Sequence, residues 1–353
     1  MRKVLFILFG FVFVVALLVG VVAVSSHFEI GAERSSGGVS TQPVAAAEPD
    51  EPDESAPEVQ EPPPVAAGRP DIHGFLSRVE YNDNVAYILG SMHLGRENWF
   101  PLNPVAENAM RRADVFAFEI DLGDLVGLID SLILGAELSL LPDGMTLEDV
   151  VPPDIFANFI EMLETYPQVT YEDIAMLTPV AAVNEIFEIE FQPHMGIYIE
   201  YSVDLYVLGF AMGLGRPTIG LNDASDETRF MLDIPLDVQA YALVDFADWM
   251  TSFVATMSYA ATMIEAYETQ NIEVIRAISM DAYYGAEYNA YLQFMHDVFI
   301  QRCEIFAQSI LSLLSETDEP TTFFITVGAA HVAYGHVFGV LEAYGLEIVE
   351  LWR

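Results

Sequence analysis

Apolar residues are distributed along this chain in three regimes. Residues 4–24 run VLFILFGFVFVVALLVGVVAV, 21 residues without a charge, directly behind Arg2 and Lys3. That length suits a helix crossing a hydrocarbon core, about 20 residues, and exceeds the roughly 7–15 of a signal-peptide core. The expectation is an uncleaved transmembrane anchor over residues 1–24, with a cleavable signal as the alternative. Arg2 and Lys3 belong on the cytoplasmic side, which makes the chain a single-pass cell-membrane protein with an extracytoplasmic C-terminal domain; cleavage would make it secreted. Residues 25–70 then turn to Ser, Gly, Pro, Ala and Glu, as in AAAEPDEPDESAPEVQEPPPVAAG. Such a stretch lacks the apolar side chains to offset ordering entropy, so it reads as a disordered stalk.

From residue 71 to 353 the periodicity is that of one folded domain. Ile72–Tyr81 and Val85–Leu89 read as strands joined across Asn82-Asp83-Asn84, residues that tolerate left-handed turns. Further strands are expected over Val115–Ile120, Arg216–Leu221, Phe323–Val327 and Glu347–Leu351. Between them the spacing predicts helices. Asn103-Pro104 and Thr178-Pro179 are cap and first-turn pairs, and Gly123–Met176, Val203–Met212, Ser225–Thr269 and Asn289–Ser315 are helical with local breaks. Strands alternating with helices predict an α/β domain, a mainly parallel central sheet with an N-terminal hairpin and large helical insertions.

Charge narrows the partners. Thirteen Lys plus Arg stand against 53 Asp plus Glu, a net charge of −40, with Lys3 the sole lysine. Nucleic acid would be repelled and divalent cations attracted, although solubility alone accounts for such acidity. Cys303 is the single cysteine, so no intramolecular disulfide forms, and its helical position among apolar neighbours reads as packing.

The candidate chemistry lies at two strand ends. Gly90-Ser-Met-His93 and Gly328-Ala-Ala-His331 each follow a β-branched and aromatic run. A glycine there frees the turn, and ligands of α/β sheets sit at that carboxyl edge, so the two imidazoles are expected in one crevice. Glu119 and Asp121 close the strand from Val115, on one face because strand side chains alternate. Arg302, among Phe299, Ile300, Ile305 and Phe306, needs an anionic partner if buried. Neither a His-Glu-x-x-His helix nor a Gly-x-Ser-x-Gly elbow is present.

In their order and strand context the paired Gly-x-x-His motifs, Phe118-Glu119-Ile120-Asp121 and the late-helix arginine resemble the TraB/PrgY/GumN family, related to the Tiki-type membrane-anchored metalloproteases. The resemblance runs from about Gly74 to Leu351. It implies a membrane-tethered, metal-dependent hydrolase acting on peptides or protein termini near the membrane. His93, His331 and Glu119 would hold the divalent metal, Arg302 would be the electrophile, and Asp121 would orient a histidine or act as general base. Relatives point to manganese or cobalt, and the mixed nitrogen and oxygen donors also suit zinc. Members of the pheromone-shutdown type imply the alternative of a non-catalytic module that sequesters a peptide. Asp204 matches a family aspartate. Two departures stand out: the usual Glu-Arg-Asn is Gln301-Arg302-Cys303, and Asn222 replaces an acid.

Overall fold

The computed structural model describes residues 71–249, 253–284, 290–317 and 319–352. The expected anchor over 1–24 and stalk over 25–70 lie outside the described residues. One six-stranded sheet contains β1 (Ser77–Tyr81), β2 (Asn84–Ser91), β3 (Val115–Ile120), β4 (Thr218–Asn222), β5 (Thr322–Gly328) and β6 (Ile348–Glu350). Their order is β4-β3-β5-β2-β1-β6. The longer helices in chain order are α1 (Pro104–Arg112), α2 (Leu125–Leu138), α3 (Pro153–Leu163), α4 (Pro179–Ile186), α5 (Val203–Leu214) and α6 (Ala224–Leu232). They continue as α7 (Leu236–Trp249), α8 (Phe253–Glu268), α9 (Ile272–Tyr284), α10 (Ala290–Glu316), α11 (Ala329–Tyr334) and α12 (His336–Ala343).

The hairpin forms where its turn residues require. Asn82 and Asp83 have φ of 49° and 64°, and Tyr81 pairs with Asn84, leaving a two-residue turn that matches the twist of the strands. Asn84 then ties this hairpin to the far end of the chain: its amide donates to Leu314 O (2.9 Å) and its carbonyl accepts from Thr321 N (2.7 Å). The strand expected from Ile72 begins only at Ser77. Gly74 and Phe75 both take positive φ, 60° and 52°, and bend the chain before pairing starts.

β2, β5, β3 and β4 are parallel, and β1 and β6 extend the sheet in antiparallel fashion beyond β2. The sheet is thus mainly parallel, as the alternation of elements implied. β5 enters last among the parallel strands and fills the slot between β2 and β3. Residues Phe323 to Val327 are all buried, the continuous apolar run of a strand covered on both faces. In this register Ser91 lies opposite Gly328, so the two Gly-x-x-His segments leave the sheet side by side at one edge.

Two helical features differ from the periodicity. The turn that Gly328 opens is itself the first turn of a helix, because α11 starts directly at Ala329 and carries His331. Helix α9 occupies a stretch to which no element was assigned, and packs on α11. A second apolar core, centred on Leu147, Phe159, Ile186, Phe191, Leu243 and Phe246, holds the helical insertion together with α7. Among the described residues α10 alone has the length and apolarity to cross a membrane. It packs against β4, β2 and β1 and buries Phe299, Cys303, Phe306 and Ile310, which makes it the domain's core helix.

Candidate functional site

His93 is placed by two backbone attachments. Gly95 and Tyr198 exchange hydrogen bonds (3.0 and 2.8 Å), and Val203 N donates to Met92 O (3.1 Å). A Cβ at Gly95 would come 1.9 Å from Tyr201 O, so only glycine permits this approach. The loop is thereby docked on the first turn of α5, where Asp204 Oδ2 meets His93 Nδ1 at 2.9 Å. Ser202 Oγ donates to the same carboxylate (3.2 Å) while accepting from Asp204 N (3.1 Å). Burial pulls the imidazole pKa down, but the charge and hydrogen bond of Asp204, with Glu119 behind them, outweigh it and raise His93 to about 9. The ring is still half exposed, an open side from which a ligand can enter.

Glu119 leaves the end of β3 towards the neighbouring strand. Its Oε1 accepts from Gly328 N (2.6 Å) and its Oε2 from Arg302 Nη2 (2.7 Å). Burial alone would push this carboxyl up; His331, Arg302, His93 and the Gly328 amide together hold it at about 2. It is an anion at any physiological pH. His331 Nε2 lies 3.9 Å from Glu119 Oε1, and its Nδ1 lies 3.0 Å from Cys303 Sγ. The ring stacks on Phe299 (4.4 Å, 13°) and meets Phe306 edge-on (5.1 Å, 75°). Burial, aided by Arg302 and His93 against Glu119, lowers its pKa to about 4, which keeps this imidazole neutral.

Gly328 shows how closely the three groups converge. A Cβ there would stand 3.3 Å from Glu119 Oε1, 3.6 Å from His331 Cδ2 and 4.0 Å from His93 Nε2. All three candidate ligands border this one point.

Arg302 finds two anionic partners. Besides Glu119, its Nε lies 2.6 Å from Glu227 Oε2, and Asn222 Nδ2 donates to Glu227 Oε1 (3.0 Å). Burial raises the Glu227 carboxyl above its usual range despite Arg302 and Asn222, whereas Glu119, with two imidazoles and an amide in addition, goes the other way. Neither Glu227 nor Asn222 carries chemistry in the sequence reading. The only hint is an acid in the first turn of α6, just after the β4 end. Asp121 is elsewhere: its Oδ1 accepts from Gly123 N (2.9 Å) and Thr218 Oγ1 (2.7 Å) at the β3–β4 corner. There it borders a cleft of about 440 Å³ shared with Asp124, Leu128, Asn222 and Asp223. The orienting contact expected of Asp121 is made by Asp204. His194 sits in the single turn Gln192–His194.

Among the described residues no three His, Cys, Asp or Glu side chains are drawn into a ready metal site. The donor set nevertheless has the chemistry for a divalent ion. His93 has a carboxylate on Nδ1, so a cation would take Nε2 after displacing the proton that its raised pKa keeps there; His331 is neutral; Glu119 is ionised. Closing the shell requires Glu119 to share oxygens now held by Gly328 and Arg302. Among known families, the TraB/PrgY/gumN family model matches residues 75–349. The chain belongs to this family. As a TraB/PrgY/gumN protein it carries both histidines, Glu119, Asp204 and Arg302 inside the matched span. No curated protein and no solved structure was found to match it.

Proposed function

We propose that this TraB/PrgY/gumN protein is a metal-dependent hydrolase, a peptidase resembling the Tiki type. It would be tethered to the outer face of the cell membrane and act on peptides or protein termini nearby. The observation that carries the reading is the convergence of His93, Glu119 and His331 on Gly328 at the carboxyl edge of three adjacent parallel strands. A bound manganese, cobalt or zinc ion would supply Lewis acidity and an activated water at neutral pH. The chain's own residues do the rest. Asp204 fixes the His93 ring through Nδ1 and leaves Nε2 towards Glu119. Gly328 N and Arg302 keep Glu119 ionised and in one rotamer. The Arg302 guanidinium, buried beside that carboxylate, would supply the positive charge for a substrate carbonyl oxygen as it becomes negative.

A second reading is favoured by a specific feature: Arg302 is already engaged by two carboxylates, as a structural cation would be. In that reading the domain binds and sequesters a peptide without cleaving it. Mass spectrometry of a peptide library, incubated with the full-length chain in detergent plus manganese, cobalt or zinc, separates the two. New termini are expected with the native chain and absent with His331→Ala. Equal cleavage by both would expose a contaminant. Retention of intact peptide by folded, metal-free native chain would replace the hydrolase reading with sequestration.

A further inference from the structure

We infer that Cys303 is the positioning residue of His331, its thiol serving Nδ1 in either tautomer so that Nε2 can accept a divalent cation without the ring turning. The cation belongs to the metal-dependent reading above; the thiol–imidazole contact stands without it. Cys303 Sγ lies 3.0 Å from Nδ1, and both residues are buried, at 0% and 3% exposure. The ring has no freedom to exchange its nitrogens. Phe299 covers one face, Phe306 closes an edge, and α11 is pinned by Arg276 Nε donating to Ala333 O at 2.7 Å.

The two ring nitrogens face different demands. Nε2 stands 3.9 Å from Glu119 Oε1, beyond hydrogen-bond length yet close enough for the carboxylate to favour a proton there. In the metal-free protein His331 is therefore the Nε2–H tautomer, and the thiol donates to the Nδ1 lone pair. A cation at Nε2 takes the electron pair that the Nε2–H bond leaves when its proton goes to solvent, and the free pair at Nδ1 gains a proton, so the ring remains neutral. Nδ1 then needs an acceptor. A thiol provides both roles, a weak donor and a weak acceptor, and keeps its own proton by turning it to a carbonyl one helical turn back. Valine at this position is one carbon larger and offers neither role, and alanine is smaller and likewise offers neither.

The test uses full-length chain in detergent with ¹⁵N-labelled histidine, the His331 signals being assigned by their loss in His331→Gln. Two-bond ¹H–¹⁵N correlations should show Nε2–H without metal and Nδ1–H with Zn²⁺. Cys303→Ser should behave alike, and Cys303→Val should bind Zn²⁺ about 10–100-fold more weakly by calorimetry, the usual effect of losing the partner of a ligating histidine. Cys303→Ala replaces the valine variant if the latter does not fold. Native zinc affinity in the apolar variant, or one and the same His331 tautomer with and without bound zinc, overturns the inference. Should the native chain bind no zinc, the metal reading fails, and the metal-free spectra decide this inference separately. There, the apolar variant must shift the Nδ1 resonance, and an unmoved resonance overturns the assignment.

Discussion

Replacing Arg302 by methionine removes the one cation that two buried carboxylates share. Its guanidinium is 2.7 Å from Glu119 Oε2 and 2.6 Å from Glu227 Oε2, and the three side chains are only 16%, 12% and 10% exposed. Methionine keeps much of the volume and the contact with Phe306, so the loss is mainly one of charge. Breaking a buried pair by deleting one partner costs about 3–5 kcal/mol, a large share of the roughly 5–15 kcal/mol that holds a domain folded.

The pH dependence has a definite sign. Glu119 titrates at about 2 in the folded protein against 4.5 unfolded, so it contributes stability above pH 4.5 that is lost as pH falls towards 2. At about 1.4 kcal/mol per unit this is worth about 3 kcal/mol, and without Arg302 the carboxyl moves up and the contribution shrinks. Glu227, already raised, becomes cheaper to bury once protonated. The deficit of Arg302→Met should therefore be greatest near pH 7 and narrow below about pH 5, where protons replace the missing cation. Urea unfolding of the full-length chain in detergent, followed by tryptophan fluorescence at pH 7 and pH 4, reads both values. Adding Glu227→Leu should restore part of the loss at pH 7. A deficit under about 1 kcal/mol at pH 7, or equal deficits at the two pH values, would refute the shared-cation account.

Two further substitutions test separate contacts. Asp204→Asn keeps a hydrogen-bonding group beside His93 but removes the charge, so the His93 pKa should drop from about 9, as read by an NMR titration; an unchanged value would show that Asp204 is not what raises it. Asp121→Asn should leave peptide cleavage within about twofold and cost about 0.5–1.5 kcal/mol of stability, the worth of its corner hydrogen bonds, whereas a loss of 10² or more in rate would restore Asp121 to the chemistry.

Much of the sheet was legible because its information is local. All six strands announce themselves as β-branched and aromatic runs, and Asn82-Asp83 names its own turn. Gly90 and Gly328 mark the carboxyl edge of the parallel strands, and Glu119 is legible as the acid ending β3. The partners are not local. Asp204 reaches His93 across 111 positions, and nothing near either residue encodes that meeting beyond the cap that Ser202 provides. Helical periodicity puts Cys303 inside, correctly, but a period gives a direction and not a neighbour, so the bond to His331 was invisible. The alanines of Ala329-Ala330-His331 favour helix, whereas the preceding strand and glycine signal only a turn.

The non-local partners also divide the site into two mechanical halves. Glu119, His331 and Arg302 are held by β3, β5 and α10, whose contacts are central to the main core, with Gly328 N and Cys303 as direct attachments. His93 depends instead on Tyr198, Val203 and Asp204, at the end of the helical insertion and the start of α5. Met195, Ile197, Val203 and Leu205, which flank these anchors, belong to the main core, so both histidines rest on it. Unseating the start of α5 would free the imidazole with the raised pKa while the carboxylate and the neutral imidazole keep their own attachments. A ligand that needs both histidines thus binds only with α5 seated, and its affinity includes the free energy of that seating.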